Sequence, residues 1–501
     1  MCATVTSIGL KGMEGYRVNV EVMSFVGTDS IRIVGLPDAA VKESRERIIA
    51  AFRSLELSLS GQKVIINLSP SEQKKSGPMF DLAMAISMLV SLHELNVEIP
   101  PNTAFIGALS LDGAIVPVVG MLPAVLAAKK LTIQTLYMPY DETFPILEFS
   151  DLKIIFVSSL KQVIDHLSGR GLGVPVIFPK NNVERYEMKS LTNFEQVMGN
   201  KNSKRALEVA AAGGHHVLMT GPPGCGKSML AESFPSILPA LTKQAQLEVI
   251  SLYQLSGITC PDTRFPPFRN PHHSASAISI IGGGTYPKPG EISLAHQGVL
   301  FLDEMAEFPK KLLDMLRQPF ENGKITISRT HATISYPAEF TLIAAMNPCP
   351  CGYAGSNTHY CTCTKKQVIS YKNKISGPLQ DRFDIHLSLR PVVFSEDLNR
   401  EESSEIVRDR VEEARKRQYN RYEKEICNSR VTYDVLLQTS PLTVVQQRKL
   451  QHLSARKNWS SRTQIKIIRL ARTISDLNGS PAITDQSIEE AIKLNGVKYR
   501  C

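Results

Sequence analysis

Residues Gly221-Pro-Pro-Gly-Cys-Gly226-Lys227-Ser228 make up a complete G-x-x-x-x-G-K-[ST] loop, and no other segment restricts the fold as tightly. An apolar run, Val217-Leu-Met-Thr220, leads into it, and a helical run, Met229-Leu-Ala-Glu-Ser233, leads out. Such a loop works only between a buried strand and the start of a helix, because its backbone N–H groups must converge on phosphate oxygens. The spacing therefore predicts an α/β P-loop core. In this cradle Gly221, Pro222, Pro223, Gly224, Cys225 and Gly226 shape the backbone. Lys227 would meet the β- and γ-phosphates, and the Ser228 hydroxyl would ligate Mg²⁺. The bland alternative is a Gly-rich turn before a helix.

A second element weighs against that alternative. Val299-Leu-Phe-Leu302 reads as an apolar strand ending in Asp303 and Glu304, 76 residues after Lys227. Asp303 fits the task of holding the Mg²⁺ shell, and Glu304 that of polarising an attacking water. The expected cofactors are ATP and Mg²⁺.

The 501 residues suggest about three domains. With 43% hydrophobic and 21% charged residues the chain is an ordinary globular sequence, which excludes disordered and collagenous classes. The longest apolar helix candidate, Leu82 to Leu92, is too short to span a bilayer and contains two serines. The first residues lack the basic flank and apolar stretch of a secretory leader. A cytoplasmic protein without membrane partners is expected. Residues 1–167 mix strand patterns (Tyr16 to Phe25, Ile31 to Leu36, Lys63 to Leu68) with helical ones (to about Ser54, and Asp81 to Leu92). A Gly- and Pro-rich linker is expected over 168–192, the P-loop domain over 193–393, and a basic helical region over 394–501, with helices at Glu396 to Glu423, Arg462 to Leu477 and Asp485 to Leu494.

Lys plus Arg exceed Asp plus Glu by 57 to 48, giving a net charge of +9. A polyanionic partner suits this balance, although a solvated surface would too. From Val435 to Ser475 there is no carboxylate, while Arg448, Lys449, Arg456, Lys457, Arg462, Lys466, Arg469 and Arg472 are all present. Nine cysteines, an odd number, point to reduced thiols. Cys349, Cys351, Cys361 and Cys363 crowd together; four thiolates suit a closed Zn²⁺ site, and four metal-free thiols are the alternative. His272 and His273 stand in a Pro-rich loop, where they would line a pore, contact DNA or simply be solvated.

Longer motifs carry a resemblance. Gly290-Glu-Ile-Ser-Leu-Ala-His-Gln-Gly-Val-Leu-Phe-Leu-Asp-Glu304, Ile327-Ser-Arg-Thr-His-Ala332, Leu342-Ile-Ala-Ala-Met-Asn-Pro348 and Ile375-Ser-Gly-Pro-Leu-Gln-Asp-Arg-Phe-Asp384 resemble the AAA+ branch of magnesium-chelatase motors and MCM helicases. With Phe268-Arg-Asn-Pro-His-His273, Asn347-Pro-Cys-Pro-Cys-Gly352 and Ala471-Arg-Thr-Ile-Ser-Asp-Leu477, the whole chain is similar to the YifB/ComM family of magnesium-chelatase-like AAA+ proteins. The resemblance implies an AAA+ core with a C-terminal helical lid, preceded by an α+β domain like that of Lon protease (ribosomal S5 domain 2-like). It gives Asn347 the role of sensor 1, Arg382 that of an arginine finger serving a neighbouring subunit, and Arg462 that of sensor 2, with Arg469 its rival. A finger acting in trans implies a homo-hexamer. Ion pairing with Asp381 or Asp384 is the alternative for Arg382.

Where Lon carries its serine and lysine, this chain has Met79 and Leu122, which supply neither nucleophile nor base, and Lys75 and Ser76 are out of register. The implied domain is a non-catalytic scaffold. Lys324 to Tyr336 resembles the hairpin before sensor 1 of MCM helicases, so Arg329 and Lys324 are the DNA-binding candidates. The implied function is an ATP-driven motor on single-stranded and branched DNA, promoting branch migration in natural transformation alongside recombination proteins. The alternative is a chelatase motor that drives Mg²⁺ into a porphyrin.

Overall fold

Strict alternation builds the N-terminal sheet. In Glu14–Val26 the side chains of Val18, Val20 and Val22 are buried while their neighbours are partly exposed, and Val64, Ile66 and Leu68 repeat the pattern in Gln62–Ser69. The computed structural model describes residues 2–141, 144–145, 151–170, 192–262, 264–284, 287–329, 332–355, 359–391 and 402–496, and the side chains of all of these except 329 and 332. These fall into two compact units: residues 1–185 with 250–259 and 328–335, and the remainder of 186–501. Most of the expected 168–192 linker lies outside the described residues.

The first unit holds a seven-stranded mixed sheet. Its order is Ser30–Val34, Gln62–Ser69, Glu14–Val26, Cys2–Lys11, Thr103–Phe105, Thr135–Pro139, Lys153–Val157. The helices Ala39–Ser54 and Asp81–Ser91 pack apolar side chains, among them Ile48, Phe52, Met84 and Met88, into its core. Asp38 caps the first helix by accepting from the Val41 N–H at 2.9 Å. Asp81 is fully buried, yet Arg47 meets it with two nitrogens at 2.7 and 3.1 Å and the Leu109 N–H adds a third donor at 3.1 Å. Burial raises the Asp81 pKa and the Arg47 hydrogen bond works against it. Removing Arg47 would leave that carboxylate buried and without its countercharge, a loss of about 3–5 kcal/mol. Met79 and Leu122 are both buried apolar side chains. Lys75 is buried too, its ammonium donating to the Pro70 carbonyl, whereas Ser76 is exposed. The two side chains diverge and form no serine–lysine pair.

The second unit holds five parallel strands in the order Phe268–Arg269, Val299–Leu302, Thr341–Met346, Val217–Thr220, Ile385–Ser388. Val299–Leu302 and Thr341–Met346 are buried at every position, as parallel strands covered on both faces must be. The lid comprises Ser404–Tyr422, Tyr433–Thr439, Val444–Lys457, Ser461–Leu477 and Asp485–Asn495. The first lid helix was expected from Glu396; it begins at Ser404, and residues 392–401 lie outside the description. No described helix is long and apolar enough to cross a membrane.

The expected basic face of the lid is only partly a surface. Lys466 is buried and donates to the Phe383 carbonyl at 2.9 Å. Arg469 donates to the Val431 carbonyl, and fully buried Arg472 binds Asp476 at 2.9 Å and the carbonyls of Ser480 and Pro481. Lys449 pairs with Glu489 at 2.8 Å. Partners absent from the carboxylate-free stretch come from outside it or from the backbone, leaving Arg448, Arg456, Lys457 and Arg462 exposed.

His216 joins the sheet to this charge network. Its Nδ1 accepts the Leu342 N–H at 2.9 Å, which requires an unprotonated nitrogen there. Burial pushes its pKa down to about 3, only partly opposed by Asp384. Asp384 itself is held below the usual carboxylate range, since His215 and Lys466 outweigh its burial. The unfolded chain takes up a proton at His216 near pH 6.5 and the folded chain does not, so this contribution is present above pH 6.5 and is lost as pH falls toward 3. Urea midpoints measured from pH 7.5 to 5 are expected to fall, with His216 contributing up to about 1 kcal/mol per pH unit. His216→Asn, which keeps an acceptor for Leu342, is expected to flatten that slope; an unchanged slope would show that His216 takes up its proton equally in the folded and unfolded chain.

Candidate functional site

Three central strands of the parallel sheet end on the same edge, and each hands over one part of a site. Thr220 leads into the P-loop, Leu302 into Asp303 and Glu304, and Met346 into Asn347, with Thr220 paired to Met346 and Leu302 to Ala344. The glycines are there for backbone reasons. Gly224 and Gly226 have φ of 76° and 84°, where side chains are strained. A Cβ on Gly221 would stand 2.7 Å from the Cys225 sulfur and 2.9 Å from the Leu389 carbonyl oxygen.

Lys227 lies at the centre. Its ammonium donates to the carbonyls of Gly221 at 2.8 Å and Pro222 at 2.9 Å and to Asn347 Oδ1 at 3.2 Å. The Ser228 hydroxyl donates to Asp303 Oδ2 at 3.0 Å. A hydroxyl and a carboxylate oxygen side by side are hard donors of the kind Mg²⁺ takes. Glu304 adopts φ of 49°, its N–H donates to Asp303 Oδ1 at 2.8 Å, and its side chain is 53% exposed. That left-handed turn points the carboxylate out beside the P-loop instead of continuing the strand. Cys225 is buried within the loop, and burial raises its thiol pKa.

His273 also belongs to this cluster. Its Nδ1 lies 3.6 Å from the Glu304 carboxylate. The register explains the meeting. Arg269 pairs with Leu300, and four residues further along each chain stand His273 and Glu304. Arg269 grips Glu291 with two hydrogen bonds of 2.6 and 2.7 Å, bracing the loop that carries the histidines. The sequence left His273 with a pore, DNA or solvent; the signal that locates it is Phe268–Arg269 as an edge strand alongside Val299–Leu302.

Arg382 and Arg462 do not join the site of their own chain. Arg382 precedes Ile385, which pairs with Val217 at the start of the P-loop strand, so it lies at the opposite sheet edge. Its pair partner is Glu321, not Asp381 or Asp384. Burial, then nearby Arg462 and Arg317, lower its pKa. A cleft of about 890 Å³ here is lined by residues including His216, Glu321, Arg382, Arg462 and Lys466. Arg469, the rival to Arg462, spends its guanidinium on a backbone carbonyl.

The DNA-binding candidates are separated. Lys324–Arg329 pairs with Ala332–Pro337 as a hairpin. Exposed Lys324 opens the first strand and Arg329 is its last residue. The tip residues 330–331 and the Arg329 side chain lie outside the description.

Comparison with known proteins fits this architecture. Residues 193–396 match the family described as magnesium chelatase, subunit ChlI; residues 20–142 match subunit ChlI of Mg-chelatase, and 401–495 its C-terminal family. The YifB protein of Escherichia coli (strain K12) is 36% identical, covering 97% of this chain and 95% of its own. Competence protein ComM of Haemophilus influenzae is 35% identical, covering 98% and 96%. Lon protease 2 of Bacillus subtilis is 29% identical over 128 residues, 25% of this chain and 22% of its own. A P-loop core with a helical lid, preceded in the chain by a Lon-like α+β domain, together with 35–36% identity to YifB and ComM over nearly the full length, makes the chain a member of the YifB/ComM family of magnesium-chelatase-like AAA+ proteins.

Proposed function

We propose that this protein is a ring-forming, ATP-driven DNA motor that promotes branch migration during homologous recombination of incoming DNA in natural transformation. The observation that carries the ring is the placing of Lys227 and Arg382 at opposite edges of one sheet. A guanidinium there is out of reach of phosphates cradled on its own chain but is available to a neighbour's. The competence relative, similar over nearly the full length, supports the DNA task, as do the four exposed lid cations.

Within the site, Lys227 would neutralise phosphate charge, while Ser228 and Asp303 would hold Mg²⁺. Glu304 would take the proton of the attacking water, with His273 near enough to steer its carboxylate and Asn347 helping to place the water. Arg382, released from Glu321 by the next subunit, would meet the charge that develops on the transferred phosphoryl group. Hexamers acting on single-stranded and branched DNA in the cytoplasm, with recombination proteins as partners, complete the reading.

Replacing Lys227 by Ala is expected to weaken ATP binding about 10- to 100-fold, the worth of one or two charged hydrogen bonds. Glu304→Gln should bind ATP normally and lower kcat by about 10²- to 10⁴-fold. Fluorescent-nucleotide titration separates the two, and equal affinity in wild type and Lys227→Ala would remove Lys227 from the site.

Arg382→Ala should bind ATP well and hydrolyse it about a thousandfold more slowly. Mixing it with Glu304→Gln subunits should restore some activity, because mixed rings contain interfaces where both groups are intact. Mixed rings as slow as either parent would return Arg382 to a local ion-pair role.

ATPase stimulation distinguishes the motor's substrate. Forked or single-stranded DNA should accelerate hydrolysis, increasingly so at low salt because phosphate contacts dominate. Arg329→Ala should keep basal hydrolysis and lose that stimulation. Stimulation by protoporphyrin with a partner subunit, and none by DNA, would favour the chelatase reading instead.

A further inference from the structure

Two residues beyond Asn347 the chain enters a cysteine knuckle that leans on the P-loop. The four sulfurs of Cys349, Cys351, Cys361 and Cys363 all lie within 4.8 Å of one another. Cys349 is 3.3 Å from Cys351 and 3.7 Å from Cys361, and Cys351 is 3.5 Å from Cys361. These separations are too long for disulfides, whose sulfurs sit about 2 Å apart. Four sulfurs around one tetrahedral Zn²⁺, at Zn–S of about 2.3 Å, would stand about 3.8 Å apart. The described set is therefore close to a single-ion site, and too compact for a cluster of several irons. Among the described residues no carboxylate joins the group, and an all-thiolate set selects a borderline-soft ion over Mg²⁺. Cys349 is fully buried and its sulfur accepts the Ala354 N–H at 3.2 Å, the kind of outer contact that orients a metal thiolate.

The knuckle touches the nucleotide loop directly. Gly352 has φ of 87°, and a Cβ there would stand 2.8 and 2.9 Å from the ring carbons of Pro223. At its other end, Cys363 runs into Thr364, which caps the helix Lys365–Lys372 in a reciprocal capping box with Gln367. Four sulfurs drawn onto one ion would close the chain between Asn347 and this helix, and would hold residues 349–352 against Pro223.

We infer that Cys349, Cys351, Cys361 and Cys363 bind one structural Zn²⁺, and that the metal braces the P-loop through the contact of Gly352 with Pro223. Zn²⁺ replaces the four thiol protons, which pass to solvent, and no coordination position is left open for catalysis. The bracing rests on the P-loop as the nucleotide site; the metal site stands without it.

The test uses the full chain purified without added metal. Elemental analysis should find about one zinc per chain and no stoichiometric iron. Cys361→Ser should lose the zinc. Because that variant could also misfold, the wild-type protein is stripped of zinc with a thiol-reactive mercurial, the mercurial is removed with excess dithiol, and Zn²⁺ is restored, with fluorescent-ATP affinity followed throughout. Stripping should weaken nucleotide binding about tenfold and readdition should recover it. Folded protein holding less than about a fifth of a zinc per chain, or holding iron, overturns the metal site. Zinc present but affinity unchanged on stripping overturns the brace. Zinc-loaded protein that binds no ATP at all would instead overturn the nucleotide site proposed for Lys227.

Discussion

Parallel pairing of Val217–Thr220 with Thr341–Met346 on one side and Ile385–Ser388 on the other is the constraint from which the rest of the second unit follows. Parallel strands all point one way, so whatever follows them gathers on one edge and whatever precedes them on the other. The P-loop, Asp303, Glu304 and Asn347 follow; Arg382 precedes. A hydrogen-bond chain, Lys227 to Asn347 on one side and Ser228 to Asp303 on the other, then ties the three strand ends together. Moving any strand by one residue would turn these side chains to the other face and dissolve the cluster.

Which parts of this were legible in the sequence follows from the range of the interactions. The P-loop and the strand ending in Asp303-Glu304 are local patterns, in which backbone period and side-chain chemistry coincide within a few residues. Their positions agree with the structure. His273 was not legible as a neighbour of Glu304, because the edge strand that places it is two residues long, too short for a periodic signal. Glu321 as the partner of Arg382 depends on the helix Arg317–Asn322 and a turn far from it in sequence meeting at a sheet edge. The basic stretch misled for a related reason. Charge counted along the chain says nothing about which cations turn inward, and Lys466, Arg469 and Arg472 find acceptors in Phe383, Val431, Asp476, Ser480 and Pro481.

In the first unit a Lon-like framework persists with different side chains at its chemical positions. Met79 and Leu122, which the resemblance sets at Lon's serine and lysine, are both buried and apolar, so packing uses what catalysis would have needed exposed and polar. Burial also pushes the Lys75 ammonium down in pKa, and its donation goes to the Pro70 carbonyl, away from exposed Ser76. A buried ion pair, Arg47 with Asp81, joins the helix Ala39–Ser54 to the helix Asp81–Ser91.

The inward-facing lid cations have a mechanical consequence. Lys466 is one turn beyond Arg462 on the helix Ser461–Leu477, and its ammonium holds the carbonyl of Phe383, the residue after Arg382. Asn495 at the end of the last lid helix holds the next carbonyl, that of Asp384, at 2.9 Å. The lid is thus fastened by side chains to the backbone on which Arg382 sits, and Asp384 is in turn bound to His215 at 3.3 Å and to the His216 N–H at 3.2 Å just before the P-loop strand. Rotating the lid would pull on residues 382–384 before it disturbed the strand itself, because those contacts are few and directional while the strand is held on both sides by its ladder. Arg382 and Arg462 therefore sit on backbone segments that Lys466 ties together.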